Sequence, residues 1–329
     1  MEQKNFPFYR TLAGRMLLFG ILPTGIILSA IILLTAASMS NDLREQREET
    51  LRVLVKRSAG EIELANNRAS LAAQVMAEAQ VRGMFGDREA SSGFAQKVLL
   101  DHPGFTGAYF GYEPNADGND ARYERMSAET EMGHALGANG RFIPYWFRDK
   151  NDNNKLLLTP LVDMETSLYY QGVKDLFMQE GRALPMVTEP YVYEGKLIVE
   201  QTFPIIMDGK FVGIAGVDRA LSEIEAFLRQ IKAEDSSDIF LISSAGNFVA
   251  TTLDSGLQTV PVSESTYDGL SDLLFAEGGE TQLSIADDPL LKTPSYFAVA
   301  TVPTGNWSVV VREPVDVVLA PIYRLTRYI

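Results

Sequence analysis

The chain has 329 residues, 46% of them hydrophobic, and a formal net charge of −14 from 43 acidic and 29 basic side chains. This length exceeds one average domain and predicts two modules with accessory helices. The acidic balance excludes nucleic acid as a partner, because phosphate binding requires clustered lysine and arginine. Since the chain has no cysteine, disulfides, thiolate metal sites and a cysteine nucleophile are excluded as well.

Residues 16–38 form an uncharged, apolar run. At the rise of an α-helix it is long enough to cross the roughly 30 Å hydrocarbon core of a bilayer, so we predict a transmembrane helix. A signal peptide is the alternative, but its apolar core is usually only about 7–15 residues long. Lys4, Arg10 and Arg15 precede the run, and the positive-inside rule therefore places residues 1–15 in the cytoplasm. The main domain is then periplasmic or extracellular, on a single-pass anchor in the cell's inner membrane.

Residues 39–85 are predicted to continue as one long helix, because small or apolar residues recur there every three or four positions. These positions are Leu51, Leu54, Ser58, Ile62, Ala65, Ala69, Ala72, Met76 and Ala79. Such a helix can carry a signal between an outer domain and the bilayer, serve as a packing strut, or form a coiled-coil seam. We expect it to contribute to a homodimer, since an alanine-rich seam allows close helix approach.

The most aromatic segment of the chain, residues 141–148, follows a predicted strand at 106–112 and two polar loops. Aromatic side chains at this density form either a core plug or the wall of a pocket. Its arginines can hold a carboxylate and its rings can hold an amine through cation–π contact. The residues alone leave both interpretations open. A strand at 155–161 and a helix at 165–179 come next.

Residues 189–221 read as three short strands joined by two tight turns. Asp208-Gly209 is a strong hairpin signal, since a primed two-residue turn needs positive φ. Pro204 is compatible with a strand edge or a bulge. Asp218 ends the third predicted strand, before a helix that begins near residue 222. This carboxylate either caps the helix or points into a pocket.

A second cycle of strand, helix and antiparallel strands follows from residue 238 and predicts a second α+β module. The expected organisation is a first module at 86–235, a second at 236–314 and a return toward the membrane at 315–329. This order resembles the double Cache sensor domains of bacterial chemoreceptors and sensor kinases, which are PAS-like. The resemblance is carried by residues 140–148, Tyr169-Tyr170, residues 189–191 and the run from Gly209 to Asp218.

The resemblance implies an α+β fold: a transmembrane helix, a long signalling helix and two tandem PAS-like modules with antiparallel sheets. It also implies that a small molecule binds in the membrane-distal module. The implied ligand-binding residues are Tyr145, Trp146, Phe147, Arg148, Arg141, Asp163, Tyr170, Tyr191 and Asp218. Trp146 would form one wall and Asp218 the other. Relatives that bind free amino acids have an arginine where this chain has Pro144. An amine, another small carboxylate or an indirectly presented ligand therefore stays open beside an amino acid.

The sequence contains no complete catalytic or metal-binding motif. The EF-hand-like start at Asp149 has Asn154 and Pro160 where glycine and glutamate are required. Two histidines, His102 and His134, form no metal pair at helical spacing. We therefore expect no enzyme activity, no metal and no cofactor, with any catalytic output in an effector beyond this chain. The chain is either a fragment cut at a second membrane crossing or a freestanding sensor.

Three functions are compatible with the sequence. The first is a membrane-anchored sensor of a small molecule, homodimeric through the long helix. The second is a scaffold that binds a protein partner and has a vestigial pocket. The third is an extracytoplasmic hydrolase, for which no catalytic constellation is found.

Overall fold

The computed structural model describes residues 12–125, 130–149, 152–232, 237–253, 256–274, 281–318 and 320. The chain divides into two compact units, Met1–Leu51 with Val315–Ile329 and Arg52–Pro314. Two predicted segments lie partly outside the described residues, the cytoplasmic segment at 1–15 and the return segment at 315–329.

The described residues of the first unit are helical. Helix α1 (Leu12–Met16) leads through a π-helical turn (Leu17–Ile21) into α2 (Leu22–Ala79), which continues into the second unit. Within the described residues, one helix is long and apolar enough to cross a membrane, and it is this N-terminal one. Its large apolar side chains, including Phe19, Ile26 and Leu34, are exposed. The predicted apolar run is therefore helical and unburied.

The second unit contains a seven-stranded antiparallel sheet in the order β3-β2-β1-β7-β6-β4, with β5 also paired to β6. Its strands are β1 (Gly107–Tyr112), β2 (Pro144–Asp149), β3 (Lys155–Pro160), β4 (Met186–Val187), β5 (Tyr191–Tyr193), β6 (Lys196–Met207) and β7 (Lys210–Ala220). Asp208 and Gly209 have φ of 49° and 75°, as the primed turn requires. The pairing shifts between Ile205 and Ile206, so Pro204 lies next to a bulge, one of the two positions compatible with proline in a strand.

Helices cover both faces of this first sheet. On one face lie α2 and α3 (Arg88–Asp101), whose buried residues include Ala69, Ala73 and Leu99. On the other lies α5 (Leu168–Glu180), which buries Tyr169 and Val173. Two further helices belong to the same module, α4 (Asp120–Tyr123) and α6 (Leu221–Ile231). Because side chains alternate along a strand, neighbouring residues of each strand face different helices.

A second, five-stranded antiparallel sheet follows in the order β10-β11-β12-β8-β9. Its elements are β8 (Asp238–Ile242), β9 (Phe248–Thr251), α7 (Ser271–Leu274), β10 (Gln282–Asp287), β11 (Pro294–Val302) and β12 (Trp307–Pro314). Phe240, Phe248 and Tyr267 pack in its core. Buried Arg312 pairs there with Asp238 and Asp288. The α+β class with two antiparallel sheets is thus confirmed.

Polar contacts join the two sheets and helix α2. Asn66 of α2 accepts a hydrogen bond from Arg219 of β7 (2.7 Å) and donates one to the carbonyl of Thr304 (3.0 Å), in the β11–β12 turn. Glu63 accepts hydrogen bonds from the backbone N–H and hydroxyl of the same threonine. Glu189, just before β5, accepts hydrogen bonds from the β8–β9 turn. One helix therefore contacts both sheets.

Candidate functional site

Two buried acidic residues lie side by side on the α5 face of the first sheet. The strand register pairs Glu200 of β6 with Asp218 of β7, and Asp218 in turn with Gly107 of β1. Asp218 is 0% exposed and Glu200 is 1% exposed. The sequence placed Asp218 at the end of its strand, but β7 continues to Ala220. Asp218 therefore does not cap helix α6, and its side chain belongs to the sheet face.

Two hydroxyls hold the Asp218 carboxylate. The Thr106 hydroxyl donates to Oδ1 (2.8 Å) and the Tyr145 hydroxyl donates to Oδ2 (2.7 Å). Gly107 makes room for this arrangement, because a Cβ there would lie 2.6 Å from Oδ1 of Asp218. Burial of the Asp218 carboxylate at this position therefore requires a residue without a side chain in the neighbouring strand β1.

The Tyr191 hydroxyl donates to Oε2 of Glu200 at 2.6 Å. The Tyr109 hydroxyl, on the same face, lies near Glu200 and opposes the rise in its pKa, although the two groups are not in hydrogen-bonding geometry. The Thr202 hydroxyl is buried without a hydrogen-bond partner in the described part of the chain. Unsatisfied buried polar groups cost free energy unless another group reaches them. This face of the sheet therefore carries unused hydrogen-bonding capacity.

Aromatic rings surround the two carboxyl groups. The ring centroids of Tyr145 lie 5.5 Å from Phe147 and 5.7 Å from Tyr193, and those of Tyr109 and Tyr169 are 5.5 Å apart. Two of the hydroxyls are fixed by the loop that precedes α5. The Tyr169 hydroxyl donates to the carbonyl of residue 162 (2.8 Å), and the Tyr193 hydroxyl accepts from the N–H of the same residue (3.0 Å).

A cavity of about 350 Å³ opens beside these rings. Its wall includes Thr106 and Tyr145, the two residues that hold Asp218, together with Tyr193, Lys196 and Ile198. The Lys196 ammonium lies 4.6 Å from the ring centroid of Phe147 at this opening. The two carboxyl groups are therefore separated from the cavity by one layer of side chains.

Burial and mutual repulsion act on the acidic pair. Burial raises the pKa of Glu200 well above its usual value, and the nearby Asp218 raises it further. Burial also raises the pKa of Asp218, although the Tyr145 and Thr106 hydroxyls and the charge of nearby Lys196 oppose the shift. No arginine or lysine forms an ion pair with either carboxyl group within the described residues. Two ionised carboxylates are therefore unfavourable at this site unless one of them is protonated or a cation binds beside them.

Four of the residues implied by the resemblance meet on this face: Tyr145, Phe147, Tyr191 and Asp218. Trp146 does not join them. It is 5% exposed on the opposite face, where its indole N–H donates to the Ser92 hydroxyl (3.0 Å). The expected pair of walls, Trp146 and Asp218, is therefore corrected. Strand alternation gives the pocket face to Tyr145, and Trp146 packs in the core against α3.

The arginines and the α5 residues have other contacts. Arg148 borders the cavity, but its guanidinium donates to the carbonyls of Phe105 (3.2 Å) and Leu99. A separate cluster contains Arg141, which pairs with Glu165, and Tyr170, whose hydroxyl donates to Glu113.

Asp163 lies near the start of α5 in the left-handed region, with φ of 52°. Its carbonyl accepts the N–H groups of Thr166 and Ser167. No described contact brings Asp163, Arg141 or Tyr170 to Asp218.

Four residues of this site were not predicted from the sequence: Glu200, Tyr109, Tyr169 and Tyr193. One signal for Glu200 was available, since it is the single acidic residue in the apolar strand β6, KLIVEQTFPIIM. A charged residue at an inward position of a buried strand is rare unless it is paired or functional. No group of three or more potential metal ligands occurs within the described ranges.

Two antiparallel sheets contact one long helix, and the first sheet carries the buried acidic pair beside an aromatic cavity. No family model matches the chain. Over 258 residues it is 26% identical to the methyl-accepting chemotaxis protein TlpQ of Pseudomonas aeruginosa. That alignment covers 73% of this chain and 34% of TlpQ. The chain thus spans about a third of the length of this curated relative.

Solved structures share the fold. The extracellular domain assigned to a histidine kinase superposes with a TM-score of 0.64 and 26% identity, covering 84% of this chain and 99% of that domain. The ligand-binding domain of the Pseudomonas fluorescens chemoreceptor CtaA, solved with L-isoleucine, has a TM-score of 0.57 and 15% identity, with 86% and 98% covered. The fold of this chain is that of a double Cache sensory domain, as the sequence resemblance implied, and the similar structures are sensory domains rather than enzymes.

Proposed function

We propose that this chain is the sensory part of a membrane-anchored receptor, and that it binds a small cationic amine in the membrane-distal module. The main support for this proposal is the pair of buried carboxyl groups of Asp218 and Glu200, which tyrosine rings surround. Among the described residues, no lysine or arginine forms an ion pair with either group. An ammonium group satisfies both features, because it pairs with carboxylates and is attracted to aromatic faces.

An amine is favoured over a carboxylate by the positions of the arginines. Arg148 is bound to backbone carbonyls and Arg141 to Glu165, so neither presents a free guanidinium fork to the pocket. Pro144 replaces the arginine expected for free amino acids. Lys196, at the cavity opening, is the group that a zwitterionic ligand would use, and amino acids therefore remain the second ligand class to test.

Ligand entry requires Tyr145 to move. Its hydroxyl holds Asp218 and its ring lines the cavity, so it occupies the route between the two. A rotation of this side chain replaces its hydroxyl with the ligand ammonium at the carboxylate. The bound state then differs from the unbound one at β2 and β7, which is the differential interaction that a signal requires.

The N-terminal helix would anchor the chain in the inner membrane with the sensory module outside the cytoplasm, since this helix is apolar and exposed. Along α2 in the second unit, Val53, Leu64, Leu71 and Val75 are exposed large apolar residues. We assign these four exposed residues to the homodimer contact of the long helix, since apolar residues on one helix face pack against a partner helix. The effector would be that of a chemoreceptor or a sensor kinase. A scaffold role is the alternative.

The test uses the full chain in lipid nanodiscs. Thermal unfolding is followed with putrescine, cadaverine, histamine, L-isoleucine and succinate at constant ionic strength. The expected result is a shift with one or more amines that grows as RT ln(1 + [L]/Kd), and a loss of at least about tenfold in affinity in Asp218→Asn and Glu200→Gln. Glu180→Gln, at the exposed end of α5, is the matched control. Amine shifts that persist in both pocket variants would contradict the site, and the absence of any shift would favour the scaffold.

A further inference from the structure

A second cavity, of about 430 Å³, lies on the other face of the same strands. It is bounded by helix α2, the loop between α3 and β1, the end of β7 and helix α6. Asp218 and Arg219 are consecutive in β7, so they point to opposite faces. Arg219 lines this second cavity, whereas the partners of Asp218 line the first. The two cavities therefore share a strand but no wall residue.

Arg219 is a buried cation without an acidic partner. It is 6% exposed, and its described side-chain contact is one hydrogen bond to Oδ1 of Asn66, at 2.7 Å. No carboxylate lies within ion-pair distance of it in the described part of the chain. A guanidinium has five N–H donors, and a desolvated charge is stabilised when an opposite charge pairs with it. Burial alone lowers the pKa of Arg219 to about 10, so the group stays charged at neutral pH.

Two other basic side chains line the cavity. Arg68 projects from α2, two residues after Asn66, and is exposed. The ring of His102 stacks on Phe105 with centroids 4.8 Å apart, and its Nδ1 contacts the carbonyl of Val98 (2.8 Å). Of the two acidic residues in the lining, Asp101 is paired with Lys97 and Glu223 has a contact of its own. The lining thus has three basic groups, one of them deeply buried.

The rest of the wall is apolar. Phe105 and Ile224 are buried, and Phe227, Pro103 and Ala65 complete the surface. An inorganic oxyanion would leave this apolar area uncovered, while an organic acid covers it with its carbon skeleton. Guanidinium groups bind carboxylates in a bidentate fork. Arg219 is the buried guanidinium of the lining, and Arg68 is the exposed one.

We propose that this cavity binds a small organic carboxylate, held by Arg219 and Arg68 against the apolar wall of Phe105, Ile224 and Phe227. The occupant contacts α2 directly, since Ala65 and Arg68 belong to that helix. It also competes for Arg219 with Asn66, the residue that bonds both sheets. This site does not depend on the amine proposal, because no residue of the acidic pocket lines it.

The test again uses the full chain in lipid nanodiscs, titrated with sodium propionate, sodium benzoate and sodium phosphate at constant ionic strength. Isothermal titration calorimetry and thermal unfolding are the two readouts. We expect propionate or benzoate to bind, and the affinity to fall at least about tenfold in Arg219→Gln and Arg68→Gln. Arg68 is exposed, so its substitution tests the site even if Arg219→Gln fails to fold. Arg229→Gln, which removes an exposed arginine of α6, is the matched control.

Variants of the two sites distinguish carboxylate binding in the second cavity from amine binding at the acidic pair. Binding that is unchanged in Asp218→Asn and lost in Arg68→Gln supports the carboxylate site. No binding of either organic acid, binding of phosphate alone, or equal binding to the wild type and Arg68→Gln would overturn it. The amine titration of the same variants reports on the other pocket independently.

Discussion

The side chains of Glu200 and Asp218 lie directly opposite each other on neighbouring antiparallel strands, and both are buried. Like charges in this position destabilise a sheet, and burial disfavours ionisation of both groups. Both effects favour the protonated form of at least one of the two carboxyl groups.

The unbound protein should lose stability as the pH rises, and Glu200 should cause part of the loss. Its pKa is raised in the folded state, so folding binds a proton at pH values above the usual Glu pKa. This contribution is present below the unfolded pKa and is lost as the pH rises through the folded one. We expect Glu200→Gln to unfold at a higher temperature than the wild type, by a margin that widens from about pH 5 to about pH 8. A constant difference across that range would show that Glu200 does not titrate.

Neighbouring aromatic residues of β2 should separate binding from stability. Tyr145→Phe removes the hydroxyl that competes with a ligand for Asp218. It should therefore cost about 1 kcal/mol of unbound stability and leave amine affinity equal or higher. Trp146→Phe removes the bond to Ser92 and should lower stability while the amine Kd stays within about twofold. Denaturant unfolding measures the stability of both variants, and calorimetry measures their amine affinity. A weaker amine affinity in Trp146→Phe alone would place the pocket on the other face of the sheet.

Glu189 should join the two sheets energetically. Its carboxylate accepts hydrogen bonds from Ser244, Asn247 and the N–H of Ala245, in addition to Ser243. Glu189→Gln replaces a charged acceptor with a neutral amide, which should cost about 1–3 kcal/mol. Hydrogen exchange should show faster opening of the 243–247 turn, with amine affinity unchanged. Protection of that turn equal to that in Glu180→Gln would argue against the link.

Arg88 should be the largest single ionic contribution in the first module. Its side chain is 0% exposed, pairs with Asp117 (2.8 Å) and Asp120, and donates to the carbonyl of Gly140 (2.6 Å). Arg88→Met leaves two acidic groups without their partner and should cost about 3–5 kcal/mol in urea unfolding. Lys97→Met, in an exposed pair on the same helix, should change stability by less than about 1 kcal/mol. Similar losses in the two variants would refute this ranking.

Much of the first module could be predicted because its signals are local. The Asp208-Gly209 turn, the strand at 155–161 and the onset of α6 depend on residues that are close in sequence. The recurring small and apolar positions of α2, from Leu51 to Ala79, were predicted in the same way, and Leu51, Ile62, Ala69 and Met76 are buried. That set of buried positions was incomplete, since Asn66 and Gln80 are also buried. Polar residues in a stripe carry no hydrophobic signal, and their partners lie far away in the chain.

The candidate site was predicted only in part. Asp218, Tyr145, Phe147 and Tyr191 were identified and do meet, whereas Trp146 was assigned to the wrong face. Adjacent strand residues face opposite sides, so one residue of register decides between Tyr145 and Trp146. That register is set by the pairing of β2 with β1, in which Trp146 lies opposite Ala108. Sequence periodicity alone does not specify it when both sides of the sheet are buried.

The sequence by itself determined the helical N-terminal run, the order of helices and strands, and the two antiparallel modules, because periodicity and turn chemistry act over a few residues. Only the tertiary structure placed Glu200 opposite Asp218 and brought Arg219 to Asn66, 153 positions away. These contacts depend on strand register and on which helix covers each sheet face. Both are properties of the packed chain, because burying one face forces the alternate side chains onto the other.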